Sequence, residues 1–309
     1  MSARAAIDIG SNSLLLTVVD GDGRVLHDEA RVVGLGRGLA ERGAFRADRR
    51  EAAQAVLADY VARAEALSVP AGEIRAVATS AARRAADAPA FFEAVRDALG
   101  LCVEIVSGEE EARLTWVGAA VDLTVRGERL VVDLGGGSTE LAAGDDAAVH
   151  ARTSLEIGTV RLTEAHLCDA AGNVPDRFDP AGIAALQQAV DLVVTEGAPA
   201  VLAHHRPGSP VVGVAGTVTT LMAMEAGLTA YDSARVHGGR LTAEALDAVV
   251  ATFADADAAT RRRRAAVAPE RADYLLAGAV VLRRVLDAAA ADALIVSDRG
   301  LRFGLLTAR

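Results

Sequence analysis

Apolar residues from Ala5 to Val19 fall into two runs separated by Gly10–Ser13, and a third run follows Gly21-Asp22-Gly23. This predicts a three-strand meander over about residues 5–30. Helical spacing of Ala52, Val56 and Tyr60 predicts a helix from Asp48 to about Leu67. Strands are expected at Ile74–Ala78 and Val103–Val106, with helices through Arg83-Arg84 and over Phe91–Leu99, the latter stopped by Gly100. Ser107 and Glu110 are spaced as a capping box opening a helix through Trp116 and Val121. The plan then repeats. Strands are expected at 129–134, 138–143, 147–154 and Val211–Ala215, and helices from about 159, 179 and 217. Further helices are expected at Thr242–Asp255 and in PERADYLLAGAVVL, with a last strand at Leu294–Ser297 and a closing helix at Leu301–Leu306.

The repetition reaches individual residues. IDIGSNSLLL (7–16) and VDLGGGSTEL (132–141) align without a gap, pairing Asp8 with Asp133, Gly10 with Gly135 and Ser13 with Ser138. Alternating strands and helices predict an α/β protein with two mixed central sheets, one per copy. The expected domains are residues 1–124, with a closing helix at about 299–309 packing back on them, and residues 125–298. One duplicated fold would then grip a polyphosphate ligand from both sides, in an interdomain cleft.

Composition narrows the classes. The chain has 309 residues, 51% hydrophobic but only 3% aromatic, so the core is aliphatic. No apolar run is long enough for a membrane span, and no basic segment leads into an apolar one, so a soluble cytoplasmic protein is expected. Cys102 and Cys168 read as small core residues. The net charge of −10 argues against nucleic-acid binding. All 32 basic residues are arginines, which excludes P-loop NTPases and Schiff-base enzymes, because both need a lysine.

Turns holding an acid, glycines and hydroxyls suit phosphate and its metal. Their amides point inward at anionic oxygens, and Asp8 and Asp133 can hold hydrated Mg²⁺, with Mn²⁺ the alternative. Glu140 stands where the first copy has Leu15, so acidic character gathers on the second copy. In SGEEEARL (107–114) one of three consecutive glutamates can turn inward to activate water; acids favoured at a helix start are the competing reading. ATSAAR (78–83) sets hydroxyls and Arg83 at a strand end, as an oxyanion clamp or an ordinary cap. Gly216-Thr217 likewise sits at a strand-to-helix junction. The Arg261–Arg264 run spans every side of a helical turn and reads as a solvated face. No histidine has metal-ligand spacing.

In order, IDIGSNS, ATSAAR, SGEEEARL, VDLGGGSTEL, GTVTTLMAM, YDSARVHG, PERADYLLAGA and VSDRGLRFGLL resemble the exopolyphosphatase/guanosine pentaphosphate phosphohydrolase (Ppx/GppA) family in its short two-domain form. The resemblance implies the duplicated actin-like, ribonuclease H-like ATPase superfold. It implies that Glu111 is the catalytic base, that Asp133 and Glu140 are the acids near metal and phosphate, and that Arg83 binds phosphate. It also places Ser11, Asn12 and Ser13 in the first phosphate loop and Gly135, Gly136, Gly137 and Ser138 in the second. The chain departs from the family at Leu15, where a basic or His residue is usual, at Phe303, where an acid is common, and at Gly239-Arg240, where an apolar pair is usual.

The expected activity is Mg²⁺-assisted release of orthophosphate from inorganic polyphosphate, with a preference for short chains because the C-terminal helical domains of longer relatives are not in the sequence. Guanosine pentaphosphate 5′-phosphohydrolysis, a non-catalytic polyphosphate or alarmone sensor and, behind both, a sugar kinase are the alternatives. The Ala- and Gly-rich helix around Leu275–Leu286 is expected to pack inside the second domain, with a homodimer contact as the other reading.

Overall fold

The computed structural model describes residues 2–307 and resolves into two compact units. One runs from the N-terminus through Gly118 and takes back the stretch beginning at Leu301; the other is Ala119–Gly300. Residue 1 and residues 308–309, which the expected first domain includes, lie outside the described part.

The first unit is built on β1 (Arg4–Ile9), β2 (Ser13–Val19), β3 (Val25–Val32), β4 (Arg75–Ala78) and β5 (Val103–Ile105), in the order β3-β2-β1-β4-β5. β1 pairs antiparallel with β2 and parallel with β4. Side chains alternate across a strand, so Ala5, Ile7 and Ile9 join one core with Leu57, Tyr60 and Phe91, under the helices Ala47–Ala66 and Ala88–Leu99. Ala6 faces the other way, into a cluster with Leu114 and Leu305. Asp8, two positions on from Ala6, therefore shares its face with the helix Gly108–Ala119, which carries Glu111.

The helix Leu301–Thr307 packs back on this unit. Leu301, Leu305 and Leu306 are buried in the Ala6 cluster, each stabilising by roughly 1.5–3 kcal/mol. Gly304 sits where a Cβ would come within 1.9 Å of the Leu114 carbonyl oxygen, so the two helix backbones meet directly. Buried Arg302 donates to Thr17 and pairs with Asp28.

The second unit repeats the plan with β6 (Arg129–Leu134), β7 (Thr139–Gly144), β8 (Val149–Leu155), β9 (Val211–Val214), β10 (Arg240–Thr242) and β11 (Ala293–Val296). Its order, β8-β7-β6-β9-β11-β10, continues the first unit's plan with one added edge strand. Three antiparallel strands followed by parallel ones, occurring twice, is the duplicated ribonuclease H-like arrangement. The helix Leu275–Ala288 is buried along residues 275–282 inside this unit, and Gly278 leaves room for Thr217 and Thr159.

Several local expectations change. The PERADYLL segment divides into a 3₁₀ turn at Pro269–Tyr274 and the α-helix behind it. The SGEEEARL helix ends at Ala119, short of Val121. β10 was not anticipated, because three residues carry no periodicity and the strand exists only by pairing with β11. Cys102 is exposed and Cys168 half-buried, so neither is the core residue its apolar neighbours suggest. Arg262–Arg264 are solvated as expected, but Arg261 is fully buried. Its guanidinium lies over Phe178, bonds to the carbonyls of Pro175, Asp176 and Ala256, and pairs with Asp273.

Candidate active site

Both duplicated turns close with the same bond. Gly10 N–H donates to Ser13 O at 3.0 Å and Gly135 N–H to Ser138 O at 3.0 Å. In each copy the chain leaving the third strand folds back under the turn. In the first unit Gly36 N–H donates to Ser11 O, and Val33 and Gly34 N–H to Asn12 O. In the second, Thr159 N–H donates to Gly135 O, and Val160 and Arg161 N–H to Gly136 O. A Cβ on Gly158 would lie 2.5 Å from backbone atoms of Gly136 and Gly137, so only glycine lets this support approach.

In the first unit the carboxyl ends of β1, β4 and β5 converge. Thr79 N–H bonds to Ile9 O, and Val106 N–H to Ala78 O. Such strand ends are the usual ligand side of an open α/β sheet. β4 leads through Thr79 into the helix Ser80–Arg84, which projects Arg83. Ser107 Oγ accepts from Glu110 N–H at 3.1 Å, as the capping box requires. The three glutamates then part company. Glu109 is exposed, and Glu110 turns out to a bidentate pair with Arg113 at 2.8 and 2.7 Å. Glu111 alone is buried, 7% exposed, with Oε2 2.6 Å from Arg83 Nη1. Arg83 Nη1 also donates to Val106 O. The expected base and the expected phosphate ligand are thus in direct contact.

In the second unit Asp133 ends β6 and is the register partner of Glu140 on β7. The corresponding pair in the first unit is Asp8 and Leu15. Glu140 is 2% exposed, and its Oε1 accepts from Ser138 Oγ at 2.8 Å and Ser154 Oγ at 2.6 Å. The Ser138 hydroxyl proton is therefore directed at Glu140. Asp133 and Glu140 are carboxylates at paired positions on adjacent strands, and Glu140 is buried. Hard oxygen donors suit Mg²⁺, which commonly binds through one or two carboxylates and keeps several waters. Among the described residues no three His, Cys, Asp or Glu side chains gather as a metal site. Asp133 and Glu140 fit the ion by the chemistry of their donors; Asp8 belongs to the first unit.

β9 lies beside β6, with Val214 opposite Asp133. It leads through Ala215, at φ 84 and ψ 166, into the helix Gly216–Glu225. That backbone region is nearly reserved for glycine, and strain of this kind gathers at ligand sites. Arg271 was not singled out by sequence. Its Nη1 donates to Gly216 O at 2.9 Å, and a Cβ on Gly216 would lie 2.3 Å from that nitrogen. Its place in PERADYLL, just ahead of an apolar helix, was the available signal. Gly158 was missed too, although LEIGTVRL offers a lone glycine directly before a helix.

Paired glycine turns, a buried carboxylate on an arginine and two paired acids, set on two sheets of one strand plan, define an α/β protein of the duplicated ribonuclease H-like class. The family model of the Ppx/GppA phosphatases matches residues 15–309. The chain belongs to that family. It is 36% identical to exopolyphosphatase 2 of Mycobacterium tuberculosis, across 97% of this chain and 96% of that one. The solved structure of the Aquifex aeolicus PPX-GPPA enzyme, 34% identical, superposes with a TM-score of 0.80 over 100% of this chain and 99% of that one. The guanosine-5′-triphosphate,3′-diphosphate pyrophosphatase of Vibrio cholerae is 38% identical, but over 53% of this chain and 33% of its own length.

Proposed function

We propose that the protein is an exopolyphosphatase that releases the terminal orthophosphate of inorganic polyphosphate. The observation that carries the reading is Glu111, the one buried member of three consecutive acids, 2.6 Å from Arg83. In the first unit Arg83 binds the terminal phosphoryl oxygens with the amides of residues 11–13; in the second, amides of residues 135–138 and 216–217 are the phosphate-binding groups. Glu111 orients a water and accepts its proton as the water oxygen bonds to the terminal phosphorus. The bridging P–O bond breaks, and the shortened chain leaves as the anion. Asp133 and Glu140 would hold Mg²⁺, which when bound neutralises phosphate charge. Positioning and electrostatics of this kind supply most of the rate in phosphoryl transfer.

A match along the whole chain to an exopolyphosphatase, against half a chain to the alarmone enzyme, supports polyphosphate as the substrate. A cytoplasmic location belongs to the same proposal. Cys102 and Cys168 are free thiols, as suits a reducing compartment, and no helix among the described residues is long and apolar enough to cross a membrane.

Glu111→Gln should leave polyphosphate affinity intact and lower turnover by about 10²–10⁴-fold, the usual contribution of a general base. Phosphate release measured side by side with binding checks this, and an unchanged rate would sink the assignment. Faster release from guanosine pentaphosphate than from polyphosphate would overturn the choice of substrate.

A further inference from the structure

The loop that supports the first turn has a second property that its bonding role does not require. It reads GLGRG (34–38) and opens a stretch to residue 50 with five arginines against two acids, in a chain whose net charge is −10. The loop is tied to the phosphate turn by Gly36 N–H to Ser11 O at 2.7 Å and Gly34 N–H to Asn12 O at 2.8 Å. A Cβ on Gly36 would lie 3.1 Å from Ser11 Cβ and 3.4 Å from Ala81 Cβ, so the loop packs against both the turn and the Arg83-bearing helix.

Its other two glycines, Gly34 and Gly38, are both left-handed at φ 69 and carry arginine stems. Arg37 Nε lies 2.6 Å from where a Gly34 Cβ would be, and Arg42 Nε and Arg46 Cδ lie 3.8 and 3.7 Å from that point on Gly38. Three arginine side chains thus run beside bare backbone, beginning next to the first turn. Arg46 is paired with Asp48. Arg42 is exposed, and among the described residues it has no ion-pair or hydrogen-bond partner for its side chain. Arg49 likewise pairs with Asp48 and donates to the Val33 carbonyl, and Arg50 pairs with Asp87, so these arginines serve the fold. Arg42 has no such role, and a repeating anion that extends beyond the phosphate under attack is a chemical match for it.

We propose that Arg37 and Arg42 form a binding track for the distal phosphates of linear polyphosphate, outside the site of hydrolysis. The inference rests on the polyphosphatase reading for its ligand. A linear polyphosphate presents an oxyanion at every unit, and guanidinium groups donate to phosphate oxygens in a fixed fork. Under this proposal tripolyphosphate held by its terminal phosphate at Arg83 ends short of the track, while a long polymer does not. The track favours long substrates, contrary to the short-chain preference expected from sequence.

The test compares Arg37→Gln, Arg42→Gln and the double variant on tripolyphosphate, long-chain polyphosphate and guanosine pentaphosphate. The double variant should raise KM for the long polymer about tenfold and flatten its salt dependence, with kcat and both short-substrate KM values within about twofold of wild type. Arg42→Lys, which keeps the charge, should recover most of the long-chain KM. An unchanged long-chain KM overturns the proposal, as does an equal rise on tripolyphosphate or a rise confined to guanosine pentaphosphate. If the wild type releases no phosphate from either polyphosphate, the proposed function falls. The track is then judged by equilibrium binding of long-chain polyphosphate to the intact protein. Weaker binding by the double variant supports it, and unchanged affinity overturns it.

Discussion

The two duplicated turns are built alike and carry different side chains. Gly10–Ser13 and Gly135–Ser138 close with the same 3.0 Å bond between the same relative positions, and each is braced by the chain leaving the third strand. Among their differences, one register position and what the brace carries involve charge. Opposite the strand-ending aspartate stands Leu15 in the first copy and Glu140 in the second. The first brace bears Arg37; the second sets Gly158 against the turn's own backbone and carries Arg161, which is paired with Glu156. Backbone geometry that many side chains can satisfy persisted through duplication, while the two charge-bearing positions diverged. The acid pair Asp133–Glu140 stands in the second copy, and the Glu111–Arg83 pair stands in the first unit.

The hardest way to break this comparison is to make the second turn resemble the first. Glu140→Leu should lower the rate of phosphate release by about 10²–10³-fold, the scale of removing a preorganised electrostatic group. It should also abolish the response to added Mg²⁺ in titrations, while Leu15→Glu should not create a second response. Retained Mg²⁺ dependence in Glu140→Leu would end the assignment of the cation to this turn.

The braces can be compared next. Gly158→Ala drives a methyl into the backbone of Gly136 and Gly137 and should cost about 10–100-fold in kcat/KM through misplaced amides. Gly36→Ala meets only Cβ atoms and a carbonyl at 3.1–3.4 Å and should cost less than Gly158→Ala in the same assay. Equal losses would mean the two braces are equally tight.

The smallest effect is on acid stability. His205 in the second unit is 8% exposed, and among the described residues neither ring nitrogen has a hydrogen-bond partner. Burial holds its pKa below the ordinary imidazole value. The unfolded chain therefore takes up a proton near pH 6.5 that the folded chain refuses, so stability falls as pH drops below about 6.5. His205→Leu should flatten the loss of Tm on going from pH 7 to pH 5. Asp298 does not blur this window. Burial opposes its ionisation, yet hydrogen bonds from His237 and Ser233 bring its pKa down to about 2, so its contribution is lost only below about pH 4. A Tm profile of the variant parallel to wild type would refute the role of His205.

Much of the architecture was legible before any coordinates. The meanders, the Ser107 capping box and the Gly100 stop follow from periodicity and turn chemistry, which act over a few residues. The alignment of Asp8 with Asp133 and of Leu15 with Glu140 anticipated the strand register. What resisted reading depended on partners distant in sequence. Cys102 has apolar neighbours in the chain and yet is exposed. Arg261 looked like one solvated arginine among four and is buried under carbonyls some eighty-five positions earlier.

The sequence by itself determined two copies of one α/β plan, the glycines and hydroxyls at both turns, and three glutamates, one of them a water-activating candidate. Local backbone preference and duplication suffice for these, because each needs only its neighbours in the chain. The tertiary structure decided which glutamate is buried, by bringing Arg83 to Glu111 across 28 positions. It also set Arg271 on Gly216, Gly158 under the second turn and arginine stems on the glycines of the first brace. Those outcomes depend on which surfaces are left to meet once the cores have formed, and a linear pattern of residues does not carry that information.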